Sequence, residues 1–520
     1  MRKTLAATAV ALLSVQAASA ETFRWAGTTD PQTMDPHAVN SAPVLGFLNN
    51  VYEGLMRRNQ QMQIEPALAT SWEPIGAEGW RFHLRKDVKF HDGSDFTAED
   101  VVFSYERATR PESDVSSWFA SVSGIKAVDD YTVEFYTAAP NPIFPDTITN
   151  FMIMDKGWTE ANSSAVPAKD AENFATRNTN GTGAFKVVER QPDLKTVVEP
   201  FGGWWDEATH NITSAEYTPI QNPATAVAAL LSGEVDMINP VPTQDVARLS
   251  NSPDVKVLED IEARVIMFGF ANQADTLKYS ADAGKPNPFK DARVRQAVNH
   301  AINVDAIVQT IMRGSAQPVS QLVSPAMRGY SESLADRPAY DLDKARALLA
   351  EAGYADGFSF GMKCPNNRYI NDEAVCQAAV GMLAQIGLDV ELETMPVSNY
   401  WPELRAQNFD MYMLGWSPGS FDAEHPIRFL VTTPNPEKKL GSWNFGAFSN
   451  DRVDELLPQI QSEIDDDKRQ ALLDESTKIL QDEAGYVPMY VQALLWGARS
   501  NVDLTQRADN FFMLRWVTVN

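Results

Sequence analysis

Gly415-Trp416-Ser417-Pro418-Gly419 has the G-x-S-x-G spacing of a serine nucleophile, in which the amide after the serine helps to bind an oxyanion. Here that residue is Pro418, which has no N–H, so the turn cannot complete the oxyanion hole. The histidines are His37, His83, His91, His210, His300 and His425. None forms H-x-x-x-H or adjoins a cysteine, so surface or capping roles are expected rather than metal binding. Gly181-Thr182-Gly183 lacks the third glycine and the lysine of a phosphate loop. Asp465-Asp466-Asp467 precedes a helix starting near Lys468, where negative charge suits the N-terminus, and no EF-hand pattern surrounds it. No catalytic residue, metal or cofactor is therefore expected, and the chain does not read as an enzyme.

Binding chemistry is better represented. Tyr400, Trp401 and Trp416 flank the alternating segment FDMYML (residues 409–414). Aromatic walls beside a polar loop suit a pocket for a small polar ligand, with core packing as the alternative for each ring. Cys364 and Cys376 are the only cysteines. Their spacing fits no zinc site and no C-x-x-C redox motif. In an oxidising compartment they could close a short loop as a disulfide, the other reading being free buried thiols.

The chain start supplies such a compartment. Arg2 and Lys3 precede an apolar run from Leu5 to Val15, and Ala18-Ser19-Ala20 offers a small-residue cleavage site. The run is too short to span a bilayer, so a signal peptide over 1–20 and a mature start at Glu21 are expected. No cysteine follows the cleavage site, so no lipid anchor is expected. Cleavage removes two cations and changes the formal charge from -25 to -27. An acidic surface repels phosphate backbones and disfavours nucleic acid as a partner. The roughly 500 residues that remain exceed one ordinary domain, so two or three lobes are expected.

Strand-like and helical periods interleave throughout, which argues for α/β lobes. Trp80, Phe82 and Leu84 alternate as a half-buried strand, as do Tyr131, Val133 and Phe135. Thr97-Ala98-Glu99-Asp100 opens a helix as a capping box. Val294, Ala297, Val298, Ala301 and Ile302 recur at helical spacing. So do Ala374, Ala378, Met382 and Ile386, with Gly387 as a left-handed cap and Leu388, Val390 and Leu392 as the next strand.

The wording FHLRKDVKFHDGSDFTAEDVVFSYER (residues 82–107) closely resembles the signature of the family 5 extracellular solute-binding proteins, the peptide-binding components of ABC importers. Gly181-Thr182-Gly183-Ala184-Phe185 resembles a family turn, with Ala184 in place of its usual proline. Segments 291–314, 340–354, 448–457 and 468–488 are similar to later family helices. The resemblance implies a type II periplasmic binding protein: two lobes with a hinge, plus an extra domain in the first lobe. It places the first lobe at 21–50, 180–268 and 486–520, the extra domain at 51–179 and the second lobe at 269–485.

In family members the segment after the Gly-Trp pair lies at the cleft, so the resemblance points to Trp416, Ser417, Gly419, Tyr400 and Trp401 as ligand contacts. Peptide binders commonly carry an Asp three residues after that Trp, to hold the ligand's ammonium. This chain has Gly419, and Asp422 is the expected replacement. Met413 stands where some oligopeptide binders place an Arg. Family ligands include peptides, glutathione, opines, nickel chelates and some sugars. The expected protein is a monomeric periplasmic receptor that hands its ligand to an inner-membrane ABC permease. The rival readings are an exported hydrolase of small amides or esters, and a peptide-binding chaperone or chemosensory protein on the same fold.

Overall fold

Two long strands, Val255–Phe270 and Tyr486–Arg499, organise the computed structural model, which describes residues 22–520 other than 77, 170 and 439. The expected signal segment, 1–20, lies outside the described residues. The two strands pair antiparallel from Val255↔Arg499 to Gly269↔Tyr486. At one end they continue through Met237–Asn239, Thr22–Gly27, Ser214–Pro219, Lys195–Pro200 and Phe185–Gln191. At the other they continue through Met411–Trp416, Phe358–Pro365 and Leu388–Met395. One twisted sheet thus links two halves of the molecule.

Alternation along the strands builds two cores at the second end. Ile266, Phe268 and Phe270 enter one apolar cluster, while Val265 and Met267 enter the other. Met411 and Met413 join the first, and Tyr412, Leu414 and Trp416 join the second. A sheet buried on both faces needs apolar residues at successive positions, which is why Met411–Trp416 is buried along its whole length. Met413, at the position of a family arginine, is therefore a core residue with no exposed surface. At the first end, Phe23, Trp25, Val44, Tyr52 and Trp496 share a separate core.

A four-stranded antiparallel sheet stands apart, in the order Ala69–Pro74, Gly79–Leu84, Thr132–Thr137, Val122–Asp129. Phe82 and Phe135 cross edge to face inside it at 5.6 Å. The helix Ala98–Ala108 packs there, opened by the expected reciprocal bonds between Thr97 and Asp100. The Gly-Thr-Gly turn serves packing. A Cβ on Gly181 would sit 2.0 Å from the Val51 carbonyl oxygen, and one on Gly183 would sit 2.7 Å from the same oxygen. Asp465 caps the helix Asp466–Glu483 by accepting the amide of Lys468.

One periodic reading needs correction. The helix Asp372–Leu383 buries Val375, Cys376, Ala379 and Leu383, so its core stripe is rotated by about one residue from Ala374, Ala378 and Met382. The rotation follows from Cys376, which points inward to a disulfide with Cys364 (S–S 2.06 Å). Gly387 takes the expected left-handed conformation (φ 86°) before the strand Leu388–Met395.

Candidate functional site

The ladder of the two long strands is interrupted between Ile261↔Ala493 and Val265↔Val491. Glu262, Ala263 and Arg264 there oppose the single residue Gln492, which makes a bulge that re-aims its side chains. The bulge sits beside the end of Met411–Trp416, because Val265 pairs with Trp416. Arg264 therefore adjoins, along the chain, the residue that pairs with Trp416.

A network holds the bulge. Gln492 Nε2 donates to Glu262 Oε2 (3.1 Å), and Gln492 Oε1 accepts the amide of Ile370 (3.2 Å). Arg264 pairs with Glu262 at 3.1 Å. The loop 366–371 is fixed further by Asp372, whose carboxylate accepts the amides of Arg368 and Tyr369. The disulfide Cys364–Cys376 closes the same loop. Tyr369 reaches under the strand end and accepts the amide of Gly415 (2.8 Å). A Cβ on Gly415 would meet the Tyr369 ring at 2.5 Å, so only glycine admits this contact.

Arg368 is the outcome of this scaffold. Its guanidinium lies 5.3 Å from the Tyr369 ring centre. It has no carboxylate partner among the described residues. Its side chain is exposed. Burial and then the charge of Arg264 pull its pKa below the ordinary arginine value. Arg264 and Arg368 act on one another as like charges, with Glu262 and Asp372 as the nearby carboxylates, and Arg368 is the member of the set that makes no ion pair among the described residues. The sequence reading missed Arg264 and Arg368. Arg264 adjoins no motif, and only the bulge brings it to Trp416.

On the other flank, Trp416 is buried among His425 (5.4 Å), Trp443 (5.5 Å) and Phe429 (6.0 Å). Trp401 joins through Trp443 at 5.5 Å. The structure therefore brings Trp416 and Trp401 into one aromatic group. Trp416 Nε1, Ser420 Oγ and His425 Nδ1 are buried without a hydrogen-bond partner among the described residues. Burial holds the His425 pKa down to about 3, so its ring is neutral. Arg58 comes from far along the chain to donate to the Ser420 carbonyl (2.8 Å) and to stack on Phe421 (4.9 Å). Asn371 likewise donates to Thr243 Oγ1 at 3.3 Å. Ser417 is half-buried, and Gly419 is exposed with open space around it.

Two expected contacts are corrected. Tyr400 is fully buried and donates to the Met413 carbonyl at 2.6 Å, so it braces the strand from behind and presents nothing to a ligand. Asp422 is 1% exposed, and its two oxygens accept from Arg469 at 2.7 and 2.8 Å. One of them also accepts the Glu424 amide. A carboxylate so engaged cannot serve as the ammonium anchor that the sequence suggested. The charge it answers is internal.

The model for bacterial extracellular solute-binding proteins, family 5 Middle, matches residues 63–437. The glutathione-binding protein GsiB of Shigella dysenteriae is 25% identical over 479 residues, covering 90% of this chain and 89% of the relative. Its Salmonella choleraesuis counterpart is 26% identical over 480 residues, with the same coverage. Among solved structures, the periplasmic binding protein DppA of Helicobacter pylori in complex with the peptide STSA superposes with a TM-score of 0.79 at 25% identity, over 96% of this chain and 98% of that one. HbpA2 of Haemophilus parasuis reaches 0.81 at 22% identity, over 96% and 100%. These likenesses give the fold as that of the type II periplasmic binding proteins. With a match across most of its length, the chain belongs to the family 5 extracellular solute-binding proteins.

Proposed function

We propose that this chain is the periplasmic receptor of an ABC importer and captures a peptide or peptide-like solute by its carboxylate. The observation that carries this is Arg368, which stacks on Tyr369, feels the charge of Arg264 at the strand bulge and makes no ion pair among the described residues. A ligand carboxylate there completes a charge-assisted, fork-like contact. The aromatic group around Trp416, with its unpartnered N–H, takes the adjoining part of the ligand. The relatives named for glutathione fit this chemistry, since glutathione is a tripeptide with two carboxylates.

The lobes of this reading are 21–50, 180–268 and 486–520, then 269–485, with 51–179 as the extra domain. Separate apolar cores and two connecting strands support that partition. The bulge lies on the connecting strands, so ligand charge at Arg264 can bias opening and closing. Contacts of Arg58 with Ser420 and of Asn371 with Thr243 join the halves. The receptor acts as a monomer and hands its ligand to a permease, with no chemistry at Ser417, whose following residue is Pro418.

The test is calorimetry with glutathione and with Ala-Ala, each against its C-terminal amide. The free carboxylates should bind about tenfold tighter or more than the amides. Equal binding of acid and amide, or saturable binding of neither, would overturn the proposal.

A further inference from the structure

A cavity of about 310 Å³ opens between the 269–485 half and the start of the strand Tyr486–Arg499. Asn299, Arg337, Asp336, Gln481, Leu480 and Pro488 are among its walls. Pro488 stands three residues before Val491, the partner of Val265. At about 3.3 Å per residue, that end of the cavity begins roughly 10 Å from the bulge. None of Arg264, Arg368 and Trp416 lines it.

Its polar groups are poorly matched to one another. Arg337 Nη1 donates to the carbonyls of Val319, Pro488 and Met489, yet the guanidinium has no carboxylate partner among the described residues. Burial holds its pKa down to about 10, which leaves it charged at neutral pH. Asp336 is exposed and forms no ion pair among the described residues, not even with the adjacent Arg337. Asn299 is 8% exposed, and its Oδ1 is buried without a partner. A buried acceptor of this kind ordinarily finds a donor. Leu480, Tyr486 and Pro488 supply an apolar side.

We infer that this cavity is a binding site for a free α-amino acid with an apolar side chain. The carboxylate lies against Arg337, and the ammonium donates to Asn299 Oδ1 and faces Asp336. The side chain packs on Leu480 and Pro488. The volume is at the small end of ligand pockets, which suits a single amino acid rather than a peptide. The site spans the helices Ala292–Ala301 and Asp466–Glu483 and the start of Tyr486–Arg499, so an occupant ties three elements together.

The probes are L-leucine, 4-methylpentanoate, which lacks the ammonium, and 3-methylbutylamine, which lacks the carboxylate. Each is titrated into the whole protein and followed by saturation-transfer NMR. L-leucine should bind saturably, and each of the other two at least about tenfold more weakly. N299L should lose L-leucine binding, and D336N should weaken it severalfold. R368Q should leave it unchanged. Because Arg337 ties down three carbonyls, its substitution could unfold the protein, so Asn299 and Asp336 carry the test. Absence of saturable L-leucine binding overturns the inference, as does equal binding of 4-methylpentanoate. Binding that survives N299L and disappears in R368Q would place the amino acid at Arg368 and overturn it equally.

Discussion

On one flank of Trp416 the strand pairs with Val265 and leads to Arg264 and Arg368. On the other the chain runs on to Asp422, within a few residues of the same ring. In sequence Asp422 is the conspicuous charge, because it lies near a family anchor position. In the fold it is the spent one, enclosed with Arg469. Arg368 looks ordinary in sequence and makes no ion pair among the described residues. The comparison teaches that a charged residue is available for binding only if nothing in its own fold has answered it. The answer usually comes from far away: Arg469 is 47 residues from Asp422.

The largest expected effect tests the enclosed side. Asp422→Asn leaves the Arg469 guanidinium buried and uncompensated. Breaking a buried pair in this way costs about 3–5 kcal/mol of stability. Urea unfolding should show it as a lower midpoint with an unchanged slope. If Asp422→Asn instead keeps full stability and loses an ammonium-bearing ligand, the two flanks exchange roles.

The disulfide comes next, and it acts on the open side. Cys364 and Cys376 bracket the loop that carries Arg368. Replacing both with serine removes a short covalent loop, which contributes about 3 kcal/mol by loop-closure entropy. Thermal unfolding should fall accordingly. Affinity for a carboxylate ligand should fall as well, because the loop must then be ordered on binding. A stability loss with unchanged affinity would show that the Asp372 and Gln492 contacts alone position Arg368.

Arg368→Gln then isolates the charge. Little stability should be lost, since the group is exposed and makes no ion pair among the described residues, and its repulsion from Arg264 goes together with its attraction to Glu262 and Asp372. Ligand affinity should fall by about 1.5–3 kcal/mol, tenfold or more. Calorimetry measures the binding and urea unfolding the stability. A variant that unfolds easily and still binds would make Arg368 a structural residue and return the question to the loop side.

These contrasts mark what could be read in the chain. The strands around Phe82 and Val133, the capping box at Thr97 and the stripe from Val294 to Ile302 were legible, because each depends on local period or local bonding. The family wording gave the architecture. The stripe on Asp372–Leu383 was misread by one residue, since alanines at 374 and 378 fit either face and the disulfide decides. Trp416 and Trp401 were legible as aromatic types. Tyr400 was not separable from them, because only its bond to the Met413 carbonyl shows that it faces the core. Arg264 could not be found at all. Its position depends on two extra residues opposite Gln492, a register fact with no local signal.

The smallest effect sharpens the boundary between the flanks. Trp416→Phe keeps an aromatic ring against His425 and Trp443, removes the buried Nε1–H, which has no partner among the described residues, and leaves a small void where the rest of the indole packed. In the protein alone, losing an unanswered donor relieves its desolvation cost while the void costs packing, so the two effects oppose and stability should change by only about 1 kcal/mol. If a ligand acceptor meets this N–H, the substitution should weaken binding by about 0.5–1.5 kcal/mol, a few-fold change. Trp416→Leu, which lacks both the N–H and the aromatic ring, should weaken binding further, and the difference between the two variants separates the N–H from the ring. Arg368→Gln and Trp416→Phe should also combine without simple addition if both touch one ligand group, and add independently if the ligand spans from one to the other. Additive losses would describe an extended ligand lying across Trp416, with its carboxylate at the bulge. Coupled losses would describe a compact one held by both residues at the same carboxylate.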